Sequence, residues 1–242
     1  MIDNEIIEQA KQANANQTKP YLCKFCDKGF AKESTLSSHV CEQKRRYQQR
    51  NDRGVQMGLQ AYLRFYELTQ GKAHSKDYSD FAKSSYYSAF VKFGSHICKI
   101  DAINPQLFID YVIKNNVKLD HWTKNKYYEQ YLLNYIRVEA VNDALERMIE
   151  WTTKWAEEHN SEFNHYFLYV SPMRLARDVA NGRISPWTIY NCDSGIESME
   201  KCGPEQLQMM YHMIDPDFWQ KKISDYPSDA AFVQQVLKQA GF

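Results

Sequence analysis

Residues 21–41 read YLCKFCDKGFAKESTLSSHVC, and no other stretch of the chain ties residue identity to spacing so tightly. Cys23 and Cys26 form a C-x2-C knuckle, twelve residues separate it from His39, and Cys41 follows two positions on. Phe30 lies four residues after the second Cys, and Leu36 three before the His. Two thiolates on a tight hairpin and an imidazole on a following helix can close most of a tetrahedral shell around a metal ion, with Phe30 and Leu36 as a miniature core. A module this short has almost nothing else to hold it.

The layout resembles the two-Cys two-His zinc finger in every position but the last ligand. The resemblance implies a ββα fold and one zinc ion held by Cys23, Cys26, His39 and Cys41. The family places its fourth ligand three to five residues after the first His; here the interval is two, and residues i and i+2 of a regular helix face different ways. The helix must therefore end or tighten near Val40 for Cys41 to reach the metal. The next histidine, His74, is too remote to be a local ligand. In the family, sequence is read from the position before the helix and from the second, third and sixth within it, here Lys32, Ser34, Thr35 and Ser38. Only Lys32 is a strong base-edge reader. One finger covers about three base pairs, so backbone binding, RNA binding and a protein contact all stay open.

Working outward, the 242 residues can hold this module and a larger domain with its own core. A hydrophobic content of 43% with 14% aromatics excludes a wholly disordered chain. The amino terminus carries no basic region followed by an apolar run, and no segment approaches the length of a membrane span. The expectation is a cytoplasmic protein with no membrane association and no small-molecule substrate. Six Cys, three in the finger and three scattered singly, suit a reducing compartment. Net charge is zero, but from Lys19 to Lys76 twelve Lys or Arg face five Asp or Glu, while the rest of the chain is mildly acidic. A basic end on an acidic body is expected where one end meets phosphate and the other meets protein or water. A merely solvated charged surface is the alternative.

Residues 1–18 read as a flexible segment, 19–42 as the finger and 43–54 as a basic linker. In that linker Lys44, Arg45, Arg46, Arg50 and Arg53 surround Tyr47, a pattern that suits a nucleic-acid backbone or, equally, a solvated helix. With Lys32, these five cations are the candidate nucleic-acid contacts. From Val55 the chain reads as all-α: a helix over 55–70 ending before Gly71, another over 78–98, and one from the Asn104-Pro105 cap to about Asn115. A periodic run from Lys124 to His159, without Gly or Pro, predicts one long central helix completing a domain over 55–160. A bundle of short helices is expected over 161–242, started at Ser171-Pro172, Ser185-Pro186, Gly203-Pro204, Asp215-Pro216 and Ser228, with Gly182, Gly195 and Gly241 at helix ends.

No second catalytic constellation is evident. The sequence has no Gly-rich phosphate loop, no G-x-S-x-G elbow and no H-E-x-x-H. His96 and Cys98 lack a C-x2-C partner; Cys192, Cys202 and His212 follow no metal-ligand spacing. Asp215, Asp217 and Asp225 read as a cap and surface charges rather than as nuclease carboxylates. From about Leu59 the order of segments resembles the helicase-loading protein of large tailed bacteriophages: aromatic helices, DHW at 120–122, KYYEQYLLNYIRVEA at 126–140, ANGRISPWTIY at 180–190 and FWQKKI at 218–223. That resemblance implies a helical protein that binds forked or single-stranded DNA and contacts the replicative helicase and the single-strand-binding protein. The expected function is a non-catalytic zinc-finger accessory factor in phage DNA replication or transcription, where RNA polymerase is the other candidate partner. The alternatives are a zinc-stabilised protein-interaction adaptor, a metal-dependent nuclease and a virion component.

Overall fold

The computed structural model describes residues 19–71 and 76–242. The expectations for residues 1–18 and for His74 lie outside the described residues. The described chain is a two-stranded hairpin followed by helices, with fifteen α-helices among the described residues. Its contacts divide it into two compact units, one reaching Thr123 and one starting at Lys124.

The first unit opens with β1 (Tyr21–Leu22) and β2 (Gly29–Phe30), paired antiparallel with Tyr21 opposite Phe30, and the short α1 (Glu33–Ser38). Then come α2 (Glu42–Gln48), α3 (Arg53–Gln70), α4 (Tyr78–Lys83), α5 (Tyr87–Lys99) and α6 (Pro105–Lys114). Helices α3 and α5 meet backbone to backbone. A Cβ on Gly94 would lie 2.2 Å from the Gly54 carbonyl oxygen and 2.3 Å from the Gly58 nitrogen, so only glycine allows this approach. Around that seam Phe81, Phe90, Phe93, Phe108 and Trp122 are buried, and the indole of Trp122 meets Phe93 edge-on at 4.9 Å. Its Nε1 donates to the Val117 carbonyl at 2.8 Å, so the buried ring leaves no polar atom unpaired. Arg64 grips the carboxylate of Asp110 with two bonds, of 2.6 and 2.7 Å, fixing α6 to α3 and holding the Asp110 carboxyl below its ordinary value.

The helix expected over 78–98 is two helices, interrupted at Ser84–Tyr86. The carbonyls released at the end of α4 are taken up by a distant side chain: Arg46 Nη1 donates to Ala82 O at 2.7 Å and to Ser84 O at 3.3 Å. The Asn104-Pro105 start and the stop at Gly71 are observed, with Asn104 Oδ1 accepting from the Leu107 amide.

The second unit contains α7 (Asn125–Val138), α8 (Val141–His159), α9 (Tyr166–Tyr169), α10 (Pro172–Ala180), α11 (Pro186–Tyr190), α12 (Asp193–Glu200), α13 (Pro204–Ile214), α14 (Pro216–Asp225) and α15 (Pro227–Ala240). The single long helix expected over 124–159 is broken. Glu139 and Ala140 are extended, with ψ of 151° and 144°. The break places the Glu139 carboxylate in the interior, where it accepts from Ser185 Oγ at 2.7 Å and meets Arg147 Nη2 at 2.7 Å. Burial pushes that carboxyl up, against the opposing pull of Arg147 and Ser185. Val138, the last residue of α7, is 79% exposed. Each of the four expected residue–Pro starts is observed. Two punctuation signals are corrected. The last helix starts one residue before Ser228, with Tyr226 at the cap position, and Gly195 lies inside α12, where a Cβ would come within 3.0 Å of the Ile189 carbonyl.

Candidate metal centre

The hairpin and the segment after α1 bring Cys23, Cys26, His39 and Cys41 together, with their ligand atoms all within 4.8 Å of one another. Locally, the Cys23 amide donates to the Lys28 carbonyl at 3.0 Å and the Asp27 amide to the Cys23 carbonyl at 2.8 Å, closing the knuckle into a tight turn. Asp27 takes the left-handed conformation, φ 57°, that Asp tolerates better than most residues. The ring of Phe30 packs 4.7 Å from the imidazole of His39 and sets its plane.

The interval of two between His39 and Cys41 is solved by ending the helix early. Helix α1 stops at Ser38, and His39 (ψ 122°) and Cys41 (ψ 165°) are extended. In an extended chain, residues i and i+2 point to the same side. Both donors therefore face the cluster, while Val40 between them is 69% exposed. Cys26 Sγ lies 3.3 Å from His39 Nε2, and Cys23 Sγ lies 3.9 Å from Cys41 Sγ; all six Cys are free thiols.

The electrostatics favour a cation at this point. The Phe25 amide holds the Cys23 thiol below its ordinary value despite some burial. At Cys26 the Lys28 amide favours the thiolate, but burial and the sulfurs of Cys41 and Cys23 outweigh it and the thiol is raised. Neighbouring anionic sulfurs repel one another, and a bound metal ion removes that conflict. Three sulfurs and one imidazole could hold such an ion. Cys41 also receives the Lys44 amide at 3.4 Å as the cap of α2.

The candidate nucleic-acid residues fall into two groups. Lys32, Arg45, Arg50 and Arg53 are exposed. Arg50 lies with its guanidinium 4.4 Å from the Tyr47 ring centre. Lys44 and Arg46 have internal tasks. Lys44 Nζ donates to the His39 carbonyl at 3.2 Å. Arg46, besides gripping Ala82 and Ser84, pairs with Glu42 and covers the Tyr87 ring at 4.3 Å. Within α1, Ser34 and Thr35 are exposed, and the Ser38 hydroxyl bonds back to the Ser34 and Thr35 carbonyls. Sequence reasoning missed the clamp formed by Arg46, whose partners lie some forty residues away; no local signal announces them.

Among the described residues no second group of His, Cys, Asp or Glu gathers in metal-ligand geometry, so Cys192, Cys202 and His212 are not brought together. Asp215 caps α14 through the Phe218 amide and pairs with Arg137 at 3.1 Å, while Asp217 and Asp225 are exposed. No helix among the described residues is long and apolar enough to cross a membrane. No protein-family model, curated protein or solved structure matches the chain. The helicase-loader resemblance therefore rests on the order of segments alone.

Proposed function

We propose that this chain is a zinc-stabilised nucleic-acid-binding accessory protein, whose finger and adjoining basic helix grip DNA while its helical units recruit a protein partner. The observation that carries this reading is the three-sulfur, one-imidazole cluster, because its dimensions suit zinc. A tetrahedral shell with Zn–S of about 2.3 Å and Zn–N of about 2.0–2.1 Å sets its ligand pairs roughly 3.5–3.8 Å apart. The cysteine pair at 3.9 Å and the Cys26–His39 pair at 3.3 Å bracket that range. The sulfur-rich donor set selects zinc over hard cations such as Mg2+.

The DNA part rests on charge and exposure. Lys32, Arg45, Arg50 and Arg53 are exposed at the basic end of the chain and are the phosphate contacts in this reading. Cationic side chains supply affinity without sequence choice, which fits a helix whose outer positions are mostly Ser and Thr. The partner, in the helicase-loader or transcription variant of the reading, is a replicative helicase, a single-strand-binding protein or RNA polymerase.

The test is zinc stoichiometry together with binding to duplex, single-stranded and forked oligonucleotides at two salt concentrations, on wild type and Cys26→Ser. One zinc per chain and salt-sensitive binding lost in the variant support the reading. Each exposed Lys or Arg removed should flatten the logarithmic salt dependence by about one unit. One zinc with no nucleic-acid binding at low salt would leave the module as a protein-docking element. That second reading is favoured by one observation, the way Arg46 and Tyr47 anchor α2 to the helices behind it.

A further inference from the structure

Between the metal knuckle and α4 lies an open groove of about 280 Å³ that none of the expected phosphate contacts lines. Phe25 and Tyr47 form one wall, with ring centres 5.3 Å apart and planes tilted by 49°. Lys24 and Lys83 flank it, and Gln43, Ser79 and Ala82 complete the lining. Tyr47 keeps 42% of its surface exposed although it touches Phe25 and Tyr78, so part of the ring remains open to a ligand. Lys24 Nζ stands 5.2 Å from the Phe25 ring centre, and Arg50 covers Tyr47.

The charged residues that line the groove, Lys24 and Lys83, are both cations. No carboxylate lines it. Glu42 is paired with Arg46, and Asp77 and Asp80 form the capping box that starts α4. Ring faces with flanking ammonium groups are the chemistry of single-stranded nucleic acid, in which the base stacks and the adjoining phosphates meet cations. A duplex cannot use such a groove, because its base faces are stacked on one another. The volume lies just below the roughly 300–1,000 Å³ of clefts that enclose a whole drug-sized ligand. One base is the natural occupant.

We propose that this groove takes one unpaired base of single-stranded DNA, laid against Tyr47 and Phe25, with the neighbouring phosphates on Lys24, Lys83 and Arg50. This rests on the nucleic-acid reading above and adds to it a base-dependent step. It also gives the chain a reason to prefer a fork, where duplex and single strand lie side by side.

The experiment compares, by fluorescence anisotropy at low salt with the zinc-loaded full chain, oligo-dT, an abasic backbone of the same length, oligo-U and a duplex. Base–aromatic stacking of about 1–3 kcal/mol corresponds to a preference for oligo-dT over the abasic strand of about 5- to 150-fold. Two variants test the groove. Tyr47→Leu removes the stacking ring, and Ser79→Tyr fills the groove from an exposed position without changing charge. Both should abolish the preference, bringing the oligo-dT affinity down to that of the abasic strand measured on the same variant. Equal, salt-sensitive binding of oligo-dT and the abasic strand by wild type would overturn the groove and leave the phosphate grip standing. Retention of the full preference in Ser79→Tyr would also overturn it. Tighter binding of oligo-U than of oligo-dT would overturn the assignment to DNA. Failure to bind any strand would overturn both readings.

Discussion

Arg45 and Arg46 are adjacent in sequence and identical in type, yet their surroundings assign them different work, and alanine substitution separates the two. The guanidinium of Arg46 makes a charged hydrogen bond of 2.7 Å to Ala82 O and a longer one of 3.3 Å to Ser84 O. A hydrogen bond to a charged group contributes about 1.5–3 kcal/mol, the longer one less. The contact with Tyr87 at 4.3 Å adds about 0.5–2 kcal/mol. The exposed pairing with Glu42 adds about 0.3–0.5 kcal/mol. These terms share one side chain and are offset by its ordering entropy of about 2 kcal/mol, so the net loss for Arg46→Ala is about 1–4 kcal/mol. Arg45→Ala, exposed and unencumbered, should stay within about 0.5 kcal/mol of wild type. Urea unfolding of the zinc-loaded protein measures both, alongside the salt slope of DNA binding. Arg45→Ala should flatten the slope at unchanged stability, and Arg46→Ala should lose stability first. If Arg46→Ala unfolds within 0.5 kcal/mol of wild type while weakening DNA as much as Arg45→Ala, the clamp is refuted and Arg46 joins the phosphate contacts.

Three further outcomes are expected. Cys41→Ser should lower zinc affinity by more than the roughly 10–100-fold that loss of an outer partner costs a metal site, read by competition with a chromophoric chelator; unchanged affinity would make the site a three-ligand one. Gly94→Ala places a methyl group against the backbones of Gly54 and Gly58 and should destabilise the chain by about 3 kcal/mol or more in thermal or urea unfolding, whereas a loss below 1 kcal/mol would mean the seam can open. The Asp110 carboxyl is depressed in the folded state, first by its hydrogen bonds to Arg64, so its contribution is fully present above the unfolded carboxyl's value of about 3.9 and is lost as pH falls from there through the folded value. Asp110→Asn should reduce stability at pH 7 by about 1.5–3 kcal/mol and flatten the acid limb of the stability–pH curve; an unchanged limb would show that Arg64 does not select the charged form.

What could be read from the sequence divides along the reach of the interactions. The knuckle and the residue–Pro helix starts are local: a thiolate pair three positions apart, or a side-chain oxygen next to a pyrrolidine ring, carries its geometry within a few residues. The long helix over 124–159 failed for the opposite reason. Nothing near Glu139 breaks a helix, and the residues that hold its carboxylate, Arg147 and Ser185, lie eight and forty-six positions further on. The same holds at Ser84, where the freed carbonyls find Arg46. Gly195 reads as helix punctuation because glycine often ends helices, but there it serves close packing on α11. A periodic pattern specifies a buried stripe, and two helices joined by a two-residue bend can share one stripe as readily as one helix can.

The interval of two between His39 and Cys41 would also link a metal ion held by the cluster to the basic helix. With a longer interval on an unbroken helix the fourth donor would belong to α1 itself. Here the chain leaves α1 before His39, and Cys41 becomes both a donor of the cluster and the cap of the next helix, α2. That helix has seven residues, too few to persist alone in water. Its start is held by the Lys44 amide on Cys41 Sγ, and its middle by Arg46 against Ala82 and Ser84. A metal ion that fixes the sulfur fixes the cap, and the cap places Arg45 on its helix and sets Tyr47 against Phe25 beside the groove. In the proposed function, metal removal therefore weakens DNA binding without any phosphate contact being a metal ligand. The dependence runs through seven residues of helix, and that makes the interval of two between His39 and Cys41 the part on which the proposed chemistry turns.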